Sequence, residues 1–91
     1  MTPFIVAELS CNALGSLDRA MTLVRAAKDA GADAVKLQTW TRGTMVSDPS
    51  YVMETGPWAG RNLADLYDEA WTPWDWHEPL FNLGRELGIE V

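Results

Sequence analysis

Cysteine, histidine and basic residues are all scarce in this 91-residue sequence, and each shortage removes a class of function. With Cys11 as its one cysteine it forms no internal disulfide, which fits a reducing compartment. A lone thiol of this kind reads as a small buried hydrophobe more readily than as a nucleophile. His77 is the one histidine and has no second histidine or cysteine at ligand spacing, so a metal role for it is not expected. It reads instead as an amphipathic residue at a helix start. Seven basic residues stand against thirteen acidic ones, and the net charge of −6 argues against nonspecific binding to nucleic acid or to an anionic membrane. No apolar run approaches the roughly 20 residues of a membrane span, and Met1-Thr2-Pro3 lacks the basic start of a secretory signal. A cytoplasmic location is the resulting expectation. Phosphate-cradling glycine loops, Ser/His/Asp arrangements and cysteine clusters are missing as well.

What is present is the composition of a packed fold, 47% hydrophobic and 22% charged. Pro3 to Ser10 is a short apolar run with a β-branched centre and no helical period, which predicts a buried strand. A loop over Cys11 to Gly15 follows, and Ser16 stands where an N-cap belongs, with Asp18 in the first turn to suit the helix dipole. Leu17, Ala20, Met21, Val24 and Ala27 then recur at helical spacing, and Gly31 is the expected stop. Asp33 to Gln38 reads as a second strand. Strand, helix and strand joined by tight loops make a βαβ unit with parallel strands, the repeat of barrels and of open doubly wound sheets.

From Thr39 to Gly60 the sequence predicts an irregular functional loop, with two prolines and three glycines. Arg61 to Ala70 reads as a short helix. Another begins near Thr72, with Thr72 as cap and Pro73 at its first position, and runs to Gly88. Ile89 to Val91 opens a third strand. A complete α/β barrel takes roughly 200 to 400 residues, so the chain reads as a piece of one.

Alternation along the strands puts Val6, Glu8 and Ser10 on one face and Ile5, Ala7 and Leu9 on the other; in the second strand Lys36 and Gln38 oppose Val35 and Leu37. With the apolar sets turned to the helices, Glu8, Lys36 and Gln38 share the opposite side near the C-terminal strand ends, where barrel active sites form. Two readings stand. Glu8 and Lys36 form a structural ion pair, or they line a polar pocket in which Lys36 binds an anion, Glu8 orients or exchanges protons with a substrate oxygen, and Gln38 donates a hydrogen bond. Asn12 and Thr39 extend that candidate set, each with an ordinary loop role as its alternative. Five tryptophans are many for this length; Trp40 and Trp58 in the long loop are the better sugar contacts, while Trp71, Trp74 and Trp76 read as packing groups.

The run Pro3-Phe4-Ile5-Val6-Ala7-Glu8-Leu9-Ser10, then Asn12 and Gly15-Ser16-Leu17, then Ala30-Gly31-Ala32-Asp33-Ala34-Val35-Lys36-Leu37-Gln38-Thr39, resembles the opening of the sialic acid synthase family. Trp58-Ala59-Gly60-Arg61, Leu66-Tyr67-Asp68-Glu69-Ala70 and Thr72-Pro73-Trp74-Asp75-Trp76-His77 are most similar to its pseudaminic acid synthase branch. The resemblance implies the first two and a half or so βα units of a TIM-type (β/α)8 barrel. Residues 1–91 would then be the N-terminal part of one synthase barrel domain, with the rest of the barrel and a C-terminal antifreeze-like domain absent, and the isolated 91 residues would be inactive. It further implies condensation of phosphoenolpyruvate with an N-acetylated amino sugar aldehyde, with loss of phosphate, in surface-glycan biosynthesis. A divalent cation, manganese or magnesium, with ligands outside these residues, and a homodimeric full-length enzyme also follow from it. Glu8 and Lys36 would be catalytic, and Gln38, Asn12 and Thr39 would bind substrate. The family has a histidine after the asparagine of the first loop, where this chain has Ala13. A truncated or decayed, non-catalytic relative is the alternative that this departure raises.

Overall fold

The computed structural model describes residues 2–91. Two short parallel strands, β1 (Val6–Glu8) and β2 (Ala34–Lys36), enclose helix α1 (Leu17–Asp29) as a βαβ unit. Both strands are shorter than the apolar runs predict, because pairing extends only from Val6 opposite Ala34 to Glu8 opposite Lys36. Before β1 the Asp33 side chain joins the backbone contacts: Asp33 Oδ2 accepts the Ile5 N–H at 2.7 Å, while the Ile5 carbonyl accepts the Asp33 and Ala34 N–H groups at 2.8 and 3.1 Å. Ser16 caps α1 as expected, its hydroxyl accepting the Arg19 N–H at 3.2 Å, and Ala30 closes the helix ahead of Gly31.

The stretch after β2 is more ordered than the predicted irregular loop. Helix α2 (Arg42–Met45) is a single turn within it and Val52 forms an isolated antiparallel bridge with Asn62, the cap of α3 (Leu63–Ala70), which is the short helix expected there. Thr72 does not cap the next helix. It is buried, and its N–H donates to the Gln38 carbonyl at 2.8 Å, so a 3-10 turn over Trp74–Trp76 leads into α4 (His77–Leu87) instead. Pro79 lies in the first turn of α4, where a missing N–H is harmless. Gly88 ends α4 in the left-handed region at φ 74°, which an L side chain resists. Gly84 has a different reason to lack a side chain: a Cβ there would lie 2.8 Å from the Ile89 carbonyl oxygen.

That close approach brings the chain back beside β2. Glu90 bridges Ala34 in parallel, with Val35 N–H donating to the Glu90 carbonyl at 2.8 Å, so the expected third strand begins on the far edge of β2 from β1. Leu9, Ala20, Val24, Val35, Leu80, Leu83 and Ile89 form the core between the sheet and helices α1 and α4. Val24 and Leu80 lose all contact with water there, burial that contributes about 1.5 to 3 kcal/mol for each such side chain. Ala7, Leu9 and Val35 meet the helices as predicted, whereas Ile5 lies before the first ladder pair and stays half exposed. No helix among the described residues is long and apolar enough to cross a membrane.

Candidate functional site

The helix-free face of the sheet carries the charges. Because Glu8 and Lys36 are direct partners across the parallel ladder, alternation turns both to the same side, and Lys36 Nζ lies 3.5 Å from Glu8 Oε2. The pair is open to water, its side chains 65% and 37% exposed, so it contributes little to stability. Polar groups so placed at the C-terminal ends of parallel strands are accessible to an anion. Val6 is 51% exposed on the same face.

Gln38 lies beyond the last ladder residue, so strand alternation no longer governs it. It lines a cavity of about 380 Å³ with Trp40, Trp58, Arg61, Tyr67 and Glu69, whereas Lys36 and Thr39 line a separate one of about 550 Å³. The expected grouping of Glu8, Lys36 and Gln38 thus resolves into an ion pair on the sheet and an amide among aromatic rings. Trp40 is anchored: its indole N–H donates to the Tyr67 carbonyl at 2.8 Å, and the two rings meet edge to face with centroids 5.3 Å apart. Trp58 is half exposed beside it, so both tryptophans singled out for sugar contact reach one cleft. Arg61 and Glu69, joined at 2.6 Å on its rim, had no distinguishing signal in the sequence.

Asn12 is exposed and lines neither cavity; its carbonyl accepts the Arg19 Nε–H at 2.7 Å. The loop that holds it is strained, with Ser10 and Leu14 both at positive φ, 50° and 52°, conformations that non-glycine residues hold mainly where a surrounding fold demands it. Cys11 and Leu14 of that loop reach the tryptophan cleft. Cys11 is exposed, against the expectation of a buried thiol. Ala13 packs against the core. Of the three clustered tryptophans Trp76 packs as expected and Trp74 stays exposed. Among the described residues no three His, Cys, Asp or Glu side chains converge as cation ligands.

The family model described as the NeuB family matches residues 23–91. The pseudaminic acid synthase of Campylobacter jejuni is 45% identical over 89 residues, covering 94% of this chain and 26% of the relative. That of Helicobacter pylori is 42% identical over 93 residues, 98% of this chain and 27% of the relative. The N,N'-diacetyllegionaminic acid synthase of Legionella pneumophila is 53% identical over 94 residues, 99% of this chain and 26% of the relative. The chain spans about a quarter of the length of these curated relatives.

Proposed function

The chain belongs to the NeuB family, and we propose that it forms the opening βα units of a parallel barrel that joins phosphoenolpyruvate to an N-acetylated amino sugar. The observation that carries this reading is the Glu8–Lys36 pair, set across adjacent parallel strands on the face without helices and 3.5 Å apart. The names of the relatives, synthases of pseudaminic and legionaminic acids, support a nonulosonic acid as product.

In this reaction C3 of phosphoenolpyruvate bonds to the aldehyde carbon of the open-chain sugar, water adds at C2, and phosphate leaves. Lys36 supplies a cation for the carboxylate or phosphate of phosphoenolpyruvate, which a chain of net charge −6 must provide locally. Glu8, alongside it, orients the attacking water or exchanges a proton with the aldehyde oxygen. Gln38 hydrogen-bonds the sugar in the cleft of Trp40 and Trp58, whose rings offer flat apolar faces to a pyranose or its open chain. The resemblance adds Asn12 and Thr39 to the substrate-binding set, but Asn12 is exposed outside both cavities and the Thr39 hydroxyl is engaged by Thr72 and His77. No step here runs through a cation, for which these residues have no ligand set.

The test is manganese-supported phosphate release from phosphoenolpyruvate, measured on the product of the reading frame that contains these residues, with a panel of acetamido sugars. Release that depends on one sugar and drops about a hundredfold or more in Glu8→Ala and in Lys36→Ala supports the synthase. A folded product that releases no phosphate with any sugar turns the reading toward a decayed, non-catalytic relative, and Ala13→His is then the first repair to try.

A further inference from the structure

The ladder of β2 stops at Lys36, so something other than the sheet must set the direction of Gln38, two residues on. The polar contacts around His77 supply it. His77 opens α4 half-buried, its ring edge-on to Trp74 with centroids 5.5 Å apart and tilted over Phe81 at 5.6 Å. Thr39 Oγ1 stands 2.6 Å from His77 Nε2 and 2.9 Å from the Thr72 carbonyl oxygen. A hydroxyl has one proton, and a carbonyl has none to give, so the Thr39 proton goes to Thr72. The contact to Nε2 is then a hydrogen bond only if Nε2 carries the hydrogen. Thr72 completes the circuit, its N–H donating to the Gln38 carbonyl at 2.8 Å.

The other ring nitrogen is free of this duty. Nδ1 makes no hydrogen bond among the described residues, and no buried side-chain nitrogen or oxygen among them lacks a partner, so Nδ1 reaches water. His77 lines the cavity of about 550 Å³ together with Lys36 and Thr39.

We propose that His77, protonated at Nε2, is a positioning residue that acts through Thr39 and Thr72 to hold the Gln38–Thr39 backbone and so aim the Gln38 amide into the tryptophan cleft. The aim toward a sugar rests on the synthase reading; the relay itself does not. Two arms keep these apart. In nitrogen-15 correlation spectra of the chain's imidazole, neutral His77 shows its hydrogen on Nε2, and Thr39→Val speeds solvent exchange of the Thr72 amide about tenfold, the worth of one such bond, without changing amides of α1. A hydrogen on Nδ1, or unchanged exchange at Thr72, overturns the relay. In the phosphate-release assay His77→Phe raises the sugar KM about tenfold with kcat held within about twofold. His77→Gln, whose amide N–H replaces Nε2–H, stays within about twofold of the parent in both. Equal losses in the two variants, or a fall in kcat alone, overturn the positioning role. Failure of the parent protein to release phosphate sinks the synthase reading and leaves the spectra to judge the relay.

Discussion

Residues 5–38 and residues 41–70 are built by opposite means. The first stretch, with α4 laid against it, is held by apolar burial: Val24 of α1, Val35 of β2 and Leu80 of α4 share one dry core. The second has one buried hydrophobic residue in its helices, Ala64, and is tied by charges at the surface. Arg42 of α2 donates to Asp65 and Asp68 of α3 at 2.7 and 2.9 Å, and Arg61 donates to Glu69 at 2.6 Å. Hydrogen bonds from Arg42 to Asp68, then to Asp65, hold its guanidinium above its ordinary value. Apolar burial is insensitive to salt and costly to disturb, whereas exposed ion pairs are screened and cheap to break. The Glu8–Lys36 pair belongs to the rigid part, and the tryptophan cleft joins it to the looser one.

Truncation in the core probes the first kind of cohesion and has the largest expected effect. Leu80→Ala leaves a cavity where α4 meets the rest of the core and lowers unfolding free energy by about 2 to 5 kcal/mol. Urea unfolding followed by tryptophan fluorescence measures it. A loss below about 1 kcal/mol would mean that α4 is not an integral part of the core.

The same division explains what could be read from the sequence. The βαβ unit rests on near-neighbour signals: the Ser16 cap, the helical recurrence of Ala20, Val24 and Ala27, and the left-handed Gly31 all act within a few residues of their own helix. Glu8 and Lys36 were legible as a pair because both lie within true strands, where alternation is obligatory. Gln38 was not, because the strand ends before it. Helix α2 contains Gly43 and Thr44, poor helix formers, and its Arg42 finds carboxylates 23 and 26 residues away, a distance at which local pattern carries nothing. Thr72 had the look of a cap, but the Gln38 carbonyl, itself distant in sequence, claims its N–H and buries it. His77 looked idle for the same reason, since its partner Thr39 is 38 residues away.

Arg42→Met keeps the aliphatic stem of the side chain and removes the charge, which tests the second kind of cohesion with a smaller effect. Limited proteolysis between α2 and α3 should quicken severalfold while the thermal midpoint of the core hardly moves. Raising salt to roughly 0.5 M should quicken cleavage of the unchanged protein in the same place and leave the variant's rate nearly constant. Equal salt effects on the two proteins would show that Arg42 does not tie α2 to α3.

The smallest effect lies within the looser stretch and sharpens the contrast down to a single turn. Asp48 Oδ1 accepts from the Ser50 hydroxyl at 2.7 Å and from the Ser50 N–H at 3.0 Å. These bonds, the hydroxyl's first, hold the Asp48 carboxyl below its ordinary value. A depressed folded value means that the turn's contribution to stability is whole above the ordinary carboxylate range and fades as pH falls through the folded value. Ser50→Ala removes the stronger bond and keeps the backbone one, so the Asp48 carboxyl should titrate at higher pH than in the parent, yet still below a free aspartate. Side-chain carboxyl carbon-13 shifts followed against pH read this directly. Titration at the same pH in both proteins would mean that the hydroxyl contributes nothing, and that the backbone geometry of the turn alone depresses the group.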